Sequence, residues 1–380
     1  MASSLSLLLA GVKAALVVLA GVALYSPEGF SPAPMPPEYS YGAPVSAPRH
    51  EPRALAASER VGEGRLPAPE DLAYDAAGGW LYTSCGDGWV RRVSVSSGDV
   101  EDWARTGGRP LGVALTADGG LVVADADIVS TLDQTIWEMT CSSQGLLKVS
   151  PDKAVELLTD EAEGVKFALT DGVDVAGDGV IYFTDASHKH SLAEFMVDVL
   201  EARPHGRLMR ASTRRRGGPP CSPAASTSPT ASPSRRTRTP SRRCSRYHIN
   251  GDKAGTVDKF IGDLPGFPDN IRYYDGEGRY WIAISAGRTL QWDVLTRSPF
   301  VRKLVYMVDR FVVAVPHNLK NAGAMSVTLA GEPVSMYSDP GLALTTGWLK
   351  VGDYLYYGSL TKPYLSRIDL AKSPAEKAQE

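Results

Sequence analysis

The chain has 380 residues, with 40 lysine and arginine against 43 aspartate and glutamate, a formal net charge of −3 and a hydrophobic fraction of 43%. So near a balance gives no electrostatic reason to expect nucleic acid or an acidic polymer as partner. The cysteines Cys85, Cys141, Cys221 and Cys244 show neither metal-ligand spacing nor a CxxC pair, and leave room for one or two disulfides at most.

In chain order, Leu5 to Tyr25 is apolar except for Ser6 and Lys13. Residues 1–25 read as a hydrophobic signal helix, either cleaved after Gly21-Val22-Ala23 or kept as a signal anchor. Either form implies the secretory pathway: endoplasmic reticulum, vacuole, or a lumenal domain held at a membrane through Leu5–Tyr25. Residues 26–60 are rich in Pro, Ser and Ala, with Pro32-Ala33-Pro34-Met35-Pro36-Pro37, and read as an extended stalk. No Asn-x-Ser/Thr sequon occurs, so N-glycosylation is not expected.

From 61 to 372 one unit recurs, and its clearest copy is Asp171 to Ser187. A polar start leads to the turn Ala176-Gly177-Asp178-Gly179 and then to the apolar strand Val180-Ile181-Tyr182-Phe183. Gly and Asp supply the positive-φ positions of a tight hairpin, and the flanking β-branched and aromatic residues suit paired strands. The unit also starts at Glu70-Asp71-Leu72, Leu111-Gly112-Val113, Asp269-Asn270-Ile271 and Thr346-Gly347-Trp348. A period of about forty residues, with about four strands per unit, predicts an all-β propeller. Residues 373–380 form a tail.

Two stretches interrupt the repeat. Removing Ile128 to Gln144 brings the spacing of the second and third units down to about forty-three residues, near the propeller period. Its edges, Val129-Ser130 and Gln144, can be encoded by intron-edge nucleotides, so 128–144 reads as retained intron sequence or as a blade-tip loop. Residues 213–240 are basic and rich in Ser, Thr and Pro, and they fall where a fourth hairpin is due. Ala225 to Pro233 is what GC-rich codons for Gly-Leu-Tyr-Phe-Ala-Asn-Gly-Val-Ala-Leu yield when shifted by one base, with Thr230 standing where the Asn belongs. The stretch therefore reads as a frameshift, with the frame restored by Arg242 to Tyr247, rather than as a basic arm.

Pro110-Leu111-Gly112-Val113-Ala114, Leu169-Thr170-Asp171-Gly172-Val173, Tyr182-Phe183-Thr184-Asp185-Ala186-Ser187, Arg203-Pro204-His205-Gly206-Arg207-Leu208 and Leu264-Pro265-Gly266-Phe267-Pro268-Asp269-Asn270-Ile271 carry a resemblance. They resemble the strictosidine synthase-like family, in the branch similar to adipocyte plasma membrane-associated protein. The resemblance implies a six-bladed propeller, here with one blade damaged. It also implies kinship with paraoxonases, gluconolactonases and other calcium-dependent hydrolases.

In a propeller the first residues of the innermost strands converge on the central channel. Here these are Glu70, Asp171, the position now Thr230, and Asp269 with Asn270. Their carboxylate and amide oxygens suit a hard cation such as Ca²⁺, so Glu70, Asp171, Asp269 and Asn270 are the candidate metal ligands. The competing reading has these acids capping strand ends. The catalytic glutamate that the resemblance implies for Pictet–Spengler condensation falls at Thr345 or Thr346, which offer no carboxylate. The histidine of paraoxonase-type chemistry falls at Leu111, and His188, His190 and His205 read as exposed or loop residues.

His190 to Ala202 places Leu192, Phe195, Met196, Val199 and Leu200 on one helical face, and Pro299 to Val313 does so with Phe300, Leu304, Met307 and Phe311. Both segments read as lids over the channel mouth. The function expected is hydrolysis of esterase or lactonase type on small apolar molecules. An alkaloid-forming synthase and a non-catalytic, ligand- or partner-binding propeller are the alternatives.

Overall fold

The computed structural model describes residues 27–35, 42–126, 145–212, 221–222, 242–313 and 318–372, with scattered positions before 26. The stretches 128–144 and 213–240 lie outside the described residues, apart from Cys221–Ser222, a short strand paired with Ala211 and Arg210. Most of Leu5–Tyr25 and the tail 373–380 lie outside them too. Among the described residues no helix is long and apolar enough to cross a membrane.

Two short strands, β1 (Arg49–Pro52) and β2 (Glu59–Val61), precede the first hairpin. Strands β3 to β6 (Leu72–Asp75, Trp80–Ser84, Trp89–Ser94, Val100–Arg105) form an antiparallel sheet. A second sheet holds β7 to β10 (Arg109–Leu115, Leu121–Ala126, Gly145–Val149, Val155–Thr159). After the small hairpin β11–β12 (Glu161–Ala162, Val165–Lys166), a third holds β13 to β16 (Thr170–Val175, Val180–Asp185, Arg207–Ser212, Cys221–Ser222). Strands β17 and β18 (Cys244–Tyr247, Val257–Ile261) then pair with each other. The next sheet is β19 to β22 (Gly266–Tyr274, Arg279–Gly287, Ala322–Thr328, Pro333–Asp339), with β1 added in parallel beside β22. Strands β23 to β25 (Thr345–Val351, Tyr354–Ser359, Leu365–Asp369) end the series, and β2 completes their sheet against β25. Five sheets of four or five strands make an all-β propeller.

The hairpin repeat has a common local cause. Gly79, Gly119, Gly179 and Gly278 occupy the same turn position and Gly352 opens the shorter last turn, all with φ between 58° and 82°, where a side chain would be strained. Each outgoing strand then buries its apolar residues between neighbouring sheets. Ala114, Val122 and Leu146 of the second sheet pack with Val173, Ile181 and Phe183 of the third. In the last sheet Trp348 is fully buried and stacks on Tyr357, with ring centroids 4.1 Å apart. The free thiols of Cys85 and Cys244 are buried, and burial pushes them up to about 11 and about 12.

The stalk expected over 26–60 is corrected by the structure. Phe30, Met35 and Ala47 are buried, and the same stretch supplies β1 and β2. The apolar residues among its prolines find faces to cover. Phe30 stacks on Tyr306 at 3.9 Å, and Val45 packs on the core that holds Ile282 and Ile284.

Helix α1 (Phe195–Glu201) connects β14 to β15, while α2 (Leu290–Arg297) and α3 (Pro299–Phe311) connect β20 to β21. Thr289 caps α2 by accepting from the Trp292 amide, and Ser298 caps α3 by accepting from Val301, with Pro299 next to it. Thr170 opens β13 opposite Asp185 at the end of β14, and Gly266 opens β19 opposite Gly287. The helices therefore stand at the end of the propeller where the inner strands begin. Leu200, Trp292, Leu295 and Phe30 form their shared core. The face expected of α3 is corrected: Val301, Val305 and Tyr306 turn inward, whereas Phe300 and Phe311 are exposed. Arg302 causes the rotation, because its buried guanidinium donates to the carbonyls of Leu200, at 3.0 Å, and Ala33.

Candidate active site at the channel mouth

Four inner strands share an irregularity. The ladder register shifts between Pro110 and Val113, Thr170 and Val173, Pro268 and Ile271, and Thr345 and Trp348. Each bulge leaves two residues out of the pairing, and bulges re-aim side chains in this way beside functional sites. The residues set free are Leu111-Gly112, Asp171-Gly172, Asp269-Asn270 and Thr346-Gly347. Glu70-Asp71 hold the matching place before β3. The amides so released find hydroxyls on the second strands: Asp71 N donates to Ser84 Oγ at 3.1 Å, and Gly172 N to Thr184 Oγ1 at 2.9 Å.

Glycine at the second position has a steric reason. A Cβ at Gly112 would meet Asp171 O at 2.3 Å, and one at Gly347 would meet Glu70 O at 2.8 Å. Neighbouring inner strands approach too closely there for a methyl group. Where this position keeps a side chain, as at Asp71 and Asn270, that side chain makes a long-range contact.

Of the four expected metal ligands, the structure brings Asn270 and Glu70 into contact, with Asn270 Nδ2 donating to Glu70 Oε1 at 3.1 Å. Glu70 and Asp171 are buried at 1% exposure, and Asp269 sits half-buried beside Asn270. The main chain of Glu70 is pinned as well: its carbonyl accepts from Gly347 N at 2.8 Å and from Thr346 Oγ1 at 2.6 Å.

Sequence reading missed three residues here. Arg272 donates to Asp71 Oδ2 and, at 2.9 Å, to Val113 O. Asp71 Oδ2 also accepts from Val113 N at 3.0 Å, so one carboxylate joins three inner strands. Burial alone would lower the Arg272 guanidinium, yet the carboxylates of Asp71, Asp174 and Glu70 outweigh it and hold it above its ordinary value. Burial pushes the Asp174 carboxyl up, with Arg272 opposing. The signal for Arg272 was present: it lies two residues beyond Asn270, on the same face of a strand.

A calcium ion is the group that the fold family implies for this ring. The donors are all hard oxygens; the carboxylates of Asp71, Asp174 and Glu70 interact with the Arg272 guanidinium, and Arg109 also interacts with Glu70. Asp71 Oδ1 is buried with no hydrogen-bond partner among the described residues. The donor set and that buried carboxylate oxygen fit such a cation.

The synthase position carries no acid. Thr345 Oγ1 donates to Ile284 O at 3.3 Å and Thr346 Oγ1 to Glu70 O, so both hydroxyls serve the backbone. Leu111 packs with Ala126, Leu169 and Ala186, which leaves no imidazole at its place in the ring. The three histidines lie in loops as expected and His188 is exposed, but His190 is buried at 6% exposure and the His205 side chain is at 11%, both against Glu201 of α1. Ser31, in the segment expected as stalk, donates its amide to the same Glu201.

The strictosidine synthase-like N-terminal family pattern matches residues 51–93, and the strictosidine synthase pattern matches 171–217. The Protein STRICTOSIDINE SYNTHASE-LIKE 4 of Arabidopsis thaliana is 42% identical over 371 residues, covering 94% of this chain and 95% of that protein. The adipocyte plasma membrane-associated protein of Danio rerio is 29% identical, covering 84% of this chain and 79% of its own. Among solved structures, a gluconolactonase of Xanthomonas campestris matches with a TM-score of 0.52 at 15% identity, over 87% of this chain and 97% of that one, a likeness of fold. With a 42% identical relative matched almost end to end, the chain belongs to the strictosidine synthase-like family.

Proposed function

We propose that this chain is a hydrolase of esterase or lactonase type in the secretory pathway, acting on small apolar molecules at the channel mouth. The observation that carries the reading is a ring of oxygen donors at the propeller end that three helices cover with an apolar core. The gluconolactonase fold likeness is compatible with it. Glu70, Asp171, Asp269 and Asn270, joined by Asp71, would hold a calcium ion, which when bound polarises a carbonyl oxygen and acidifies water. Arg272 orients the Asp71 carboxylate, and the core around Trp292 and Leu200 excludes water and receives the apolar part of the substrate. Condensation chemistry is set aside because Thr345 and Thr346 provide no carboxylate.

The sixth blade belongs to the same proposal. Tyr247 and Ile249 pack on Ala176 and Tyr182 of the third sheet, while Phe260 and Ile261 pack on Ile282 and Ile284 of the β19–β22 sheet. Strands β17 and β18 are thus the outer half of a blade between those two. The signal segment implies entry to the endomembrane system, with membrane attachment if it is retained.

The test is hydrolysis of phenyl acetate and of an aliphatic lactone by the full chain, in about 1 mM calcium (about a thousandfold above a micromolar Kd) and in EGTA, with tryptamine and an aldehyde as a control pair. Calcium-dependent hydrolysis, lost in Asp269→Ala and Glu70→Gln, with no condensation product, is the result expected. Hydrolysis unchanged by EGTA and by both variants would overturn the site. Leu111 in the ring favours a second reading, a binding propeller, and a calcium-induced melting shift without hydrolysis is its signature.

A further inference from the structure

A second cluster lies outside the ring. His190 Nε2 stands 3.0 Å from Glu201 Oε2, and His205 Nε2 stands 3.6 Å from the same oxygen. The ligand atoms of His190, Glu201 and His205 all lie within 4.8 Å of one another, and all three residues are buried. Three elements deliver them: the turn after β14, the last residue of α1, and the loop entering β15.

The two imidazoles are arranged alike. Each turns Nε2 inward to Glu201 and Nδ1 outward to another acid. His205 Nδ1 meets Asp198 Oδ1 at 2.7 Å, and His190 Nδ1 faces Glu194 Oε2 at 3.8 Å. Asp198 is itself buried and oriented by Ser187 Oγ at 3.1 Å. The Asp198 carboxylate behind His205 fixes its tautomer with the proton outside and the Nε2 lone pair inside, the arrangement that metal-bound histidines use, whereas His190 Nε2 donates to Glu201 Oε2 at 3.0 Å and gives up that proton when a metal binds. With that tautomer, His205 Nε2 and Glu201 Oε2 are two acceptors facing each other, and a cation between them resolves the conflict.

A cation of the chain already marks the place. Lys189 Nζ lies 2.8 Å and 2.7 Å from the two Glu201 oxygens, while its side chain remains 34% exposed. Such a lysine can swing to solvent, whereas the buried histidines and Glu201 cannot. Glu201 Oε1 also accepts from Ser31 N at 2.6 Å, and Lys189 Nζ donates to Gly29 O at 2.6 Å, so the N-terminal segment forms one wall.

We propose that His190, His205 and Glu201 form a site for a divalent transition metal of the zinc class, with Asp198 and Glu194 as supporting carboxylates and Lys189 as the resident competitor. Two imidazoles and one carboxylate are a donor set that zinc accepts in tetrahedral geometry, leaving a fourth position open. Ligand atoms around tetrahedral zinc lie about 3.4 Å apart, so the cluster closes by roughly an ångström when the lysine leaves. The site is distinct from the ring, whose donors are oxygens alone.

The probe is Co²⁺, added to the tag-free full chain after EDTA treatment and dialysis. Uptake of one ion per chain with visible d–d absorption, displaced by Zn²⁺ and not by millimolar Ca²⁺, is the result expected. Affinity falls at least tenfold in His190→Ala and His205→Ala, and about 10–100-fold in Asp198→Asn. Lys189→Met, which removes the competitor, binds more tightly. Should a histidine variant fail to fold, the opposite shifts of Asp198→Asn and Lys189→Met decide the matter. No uptake by the parent chain, uptake unchanged in the variants, or weaker binding in Lys189→Met would overturn the proposal. Hydrolysis at the ring is not part of the readout, so its failure leaves this test intact.

Discussion

Replacing Arg272 by methionine keeps the length of the side chain and removes the guanidinium that faces Asp71, Asp174 and Glu70. Asp71 is at 1% exposure and the Arg272 side chain at 17%, so the pair is largely desolvated. Removing one partner of such a pair strands the other charge, at about 3–5 kcal/mol. Val113 O also loses its side-chain donor. For a propeller spanning residues 61–372 the loss corresponds to a fall in Tm of roughly 5–8 °C at pH 7. The sign with pH follows from the carboxyls. Burial already raises Asp174 in the folded protein, and without the opposing Arg272 it rises further. A carboxyl raised by folding favours the folded state as it protonates, so the deficit is full at pH 7 and shrinks as pH falls through the raised values. The assay is thermal unfolding by circular dichroism from pH 7 down to pH 4, in EGTA, on the parent, Arg272→Met and Arg272→Met/Asp71→Asn. The double variant recovers part of the loss, because the charge stranded at Asp71 is gone. A Tm within 2 °C of the parent, or a double variant less stable than the single one, would refute the claim that a desolvated ion pair organises the channel.

Two further outcomes concern the segment over the lid. Phe30→Ala removes a ring that is 4% exposed and stacked on Tyr306, a truncation that costs about 3–5 kcal/mol in a core. Because the contact is local, hydrogen exchange at residues 27–35 rises by at least tenfold while the propeller strands keep their protection; equal exchange in both proteins would show that Phe30 anchors nothing. Burial would raise Glu201, but the hydrogen bonds from His190, Lys189 and Ser31 overcome it and hold its carboxyl at about 2. Its contribution to stability is therefore present above the ordinary value of 4.5 and lost as pH falls toward 2, and Glu201→Gln flattens that acid limb of the Tm profile; parallel profiles would contradict it.

The hairpins are legible in the sequence because each carries its own turn glycine and apolar return strand, a signal contained within about a dozen residues. Glu70, Asp171, Asp269 and Asn270 are legible for the same reason, since strand starts are visible once the turns are. Arg272 is one of 40 basic residues, and its importance arises from β19 lying across the channel from residues 201 positions away. The buried histidines were hidden by a different error. Reading 26–60 as a stalk removed the segment that walls in Glu201, and without that wall a loop histidine looks exposed. Composition identified the prolines correctly but could not show that Phe30 and Met35 among them have somewhere to go.

The ring also bears on the stretch outside the described residues. In every described copy the pair at the channel is followed by an apolar residue: Asp71 by Leu72, Gly112 by Val113, Gly172 by Val173, Asn270 by Ile271 and Gly347 by Trp348. That third residue re-enters the ladder and faces the core, as fully buried Trp348 does. The written chain offers Thr230-Ala231-Ser232, with no apolar third residue and with prolines at 229 and 233. The one-base-shifted peptide offers Asn-Gly-Val, the order of Asp171-Gly172-Val173. Its glycine suits a position where a methyl group meets a neighbouring carbonyl at Gly112 and Gly347. Strands β17 and β18 already pack on both neighbours, so what the blade requires is an inner hairpin. The strictosidine synthase pattern stops at residue 217, where the basic composition begins. We propose that a single shifted base accounts for the composition, the prolines and the missing Asn-Gly-Val together, and that its reversal would return an amide oxygen to the face that Glu70 and Asn270 share.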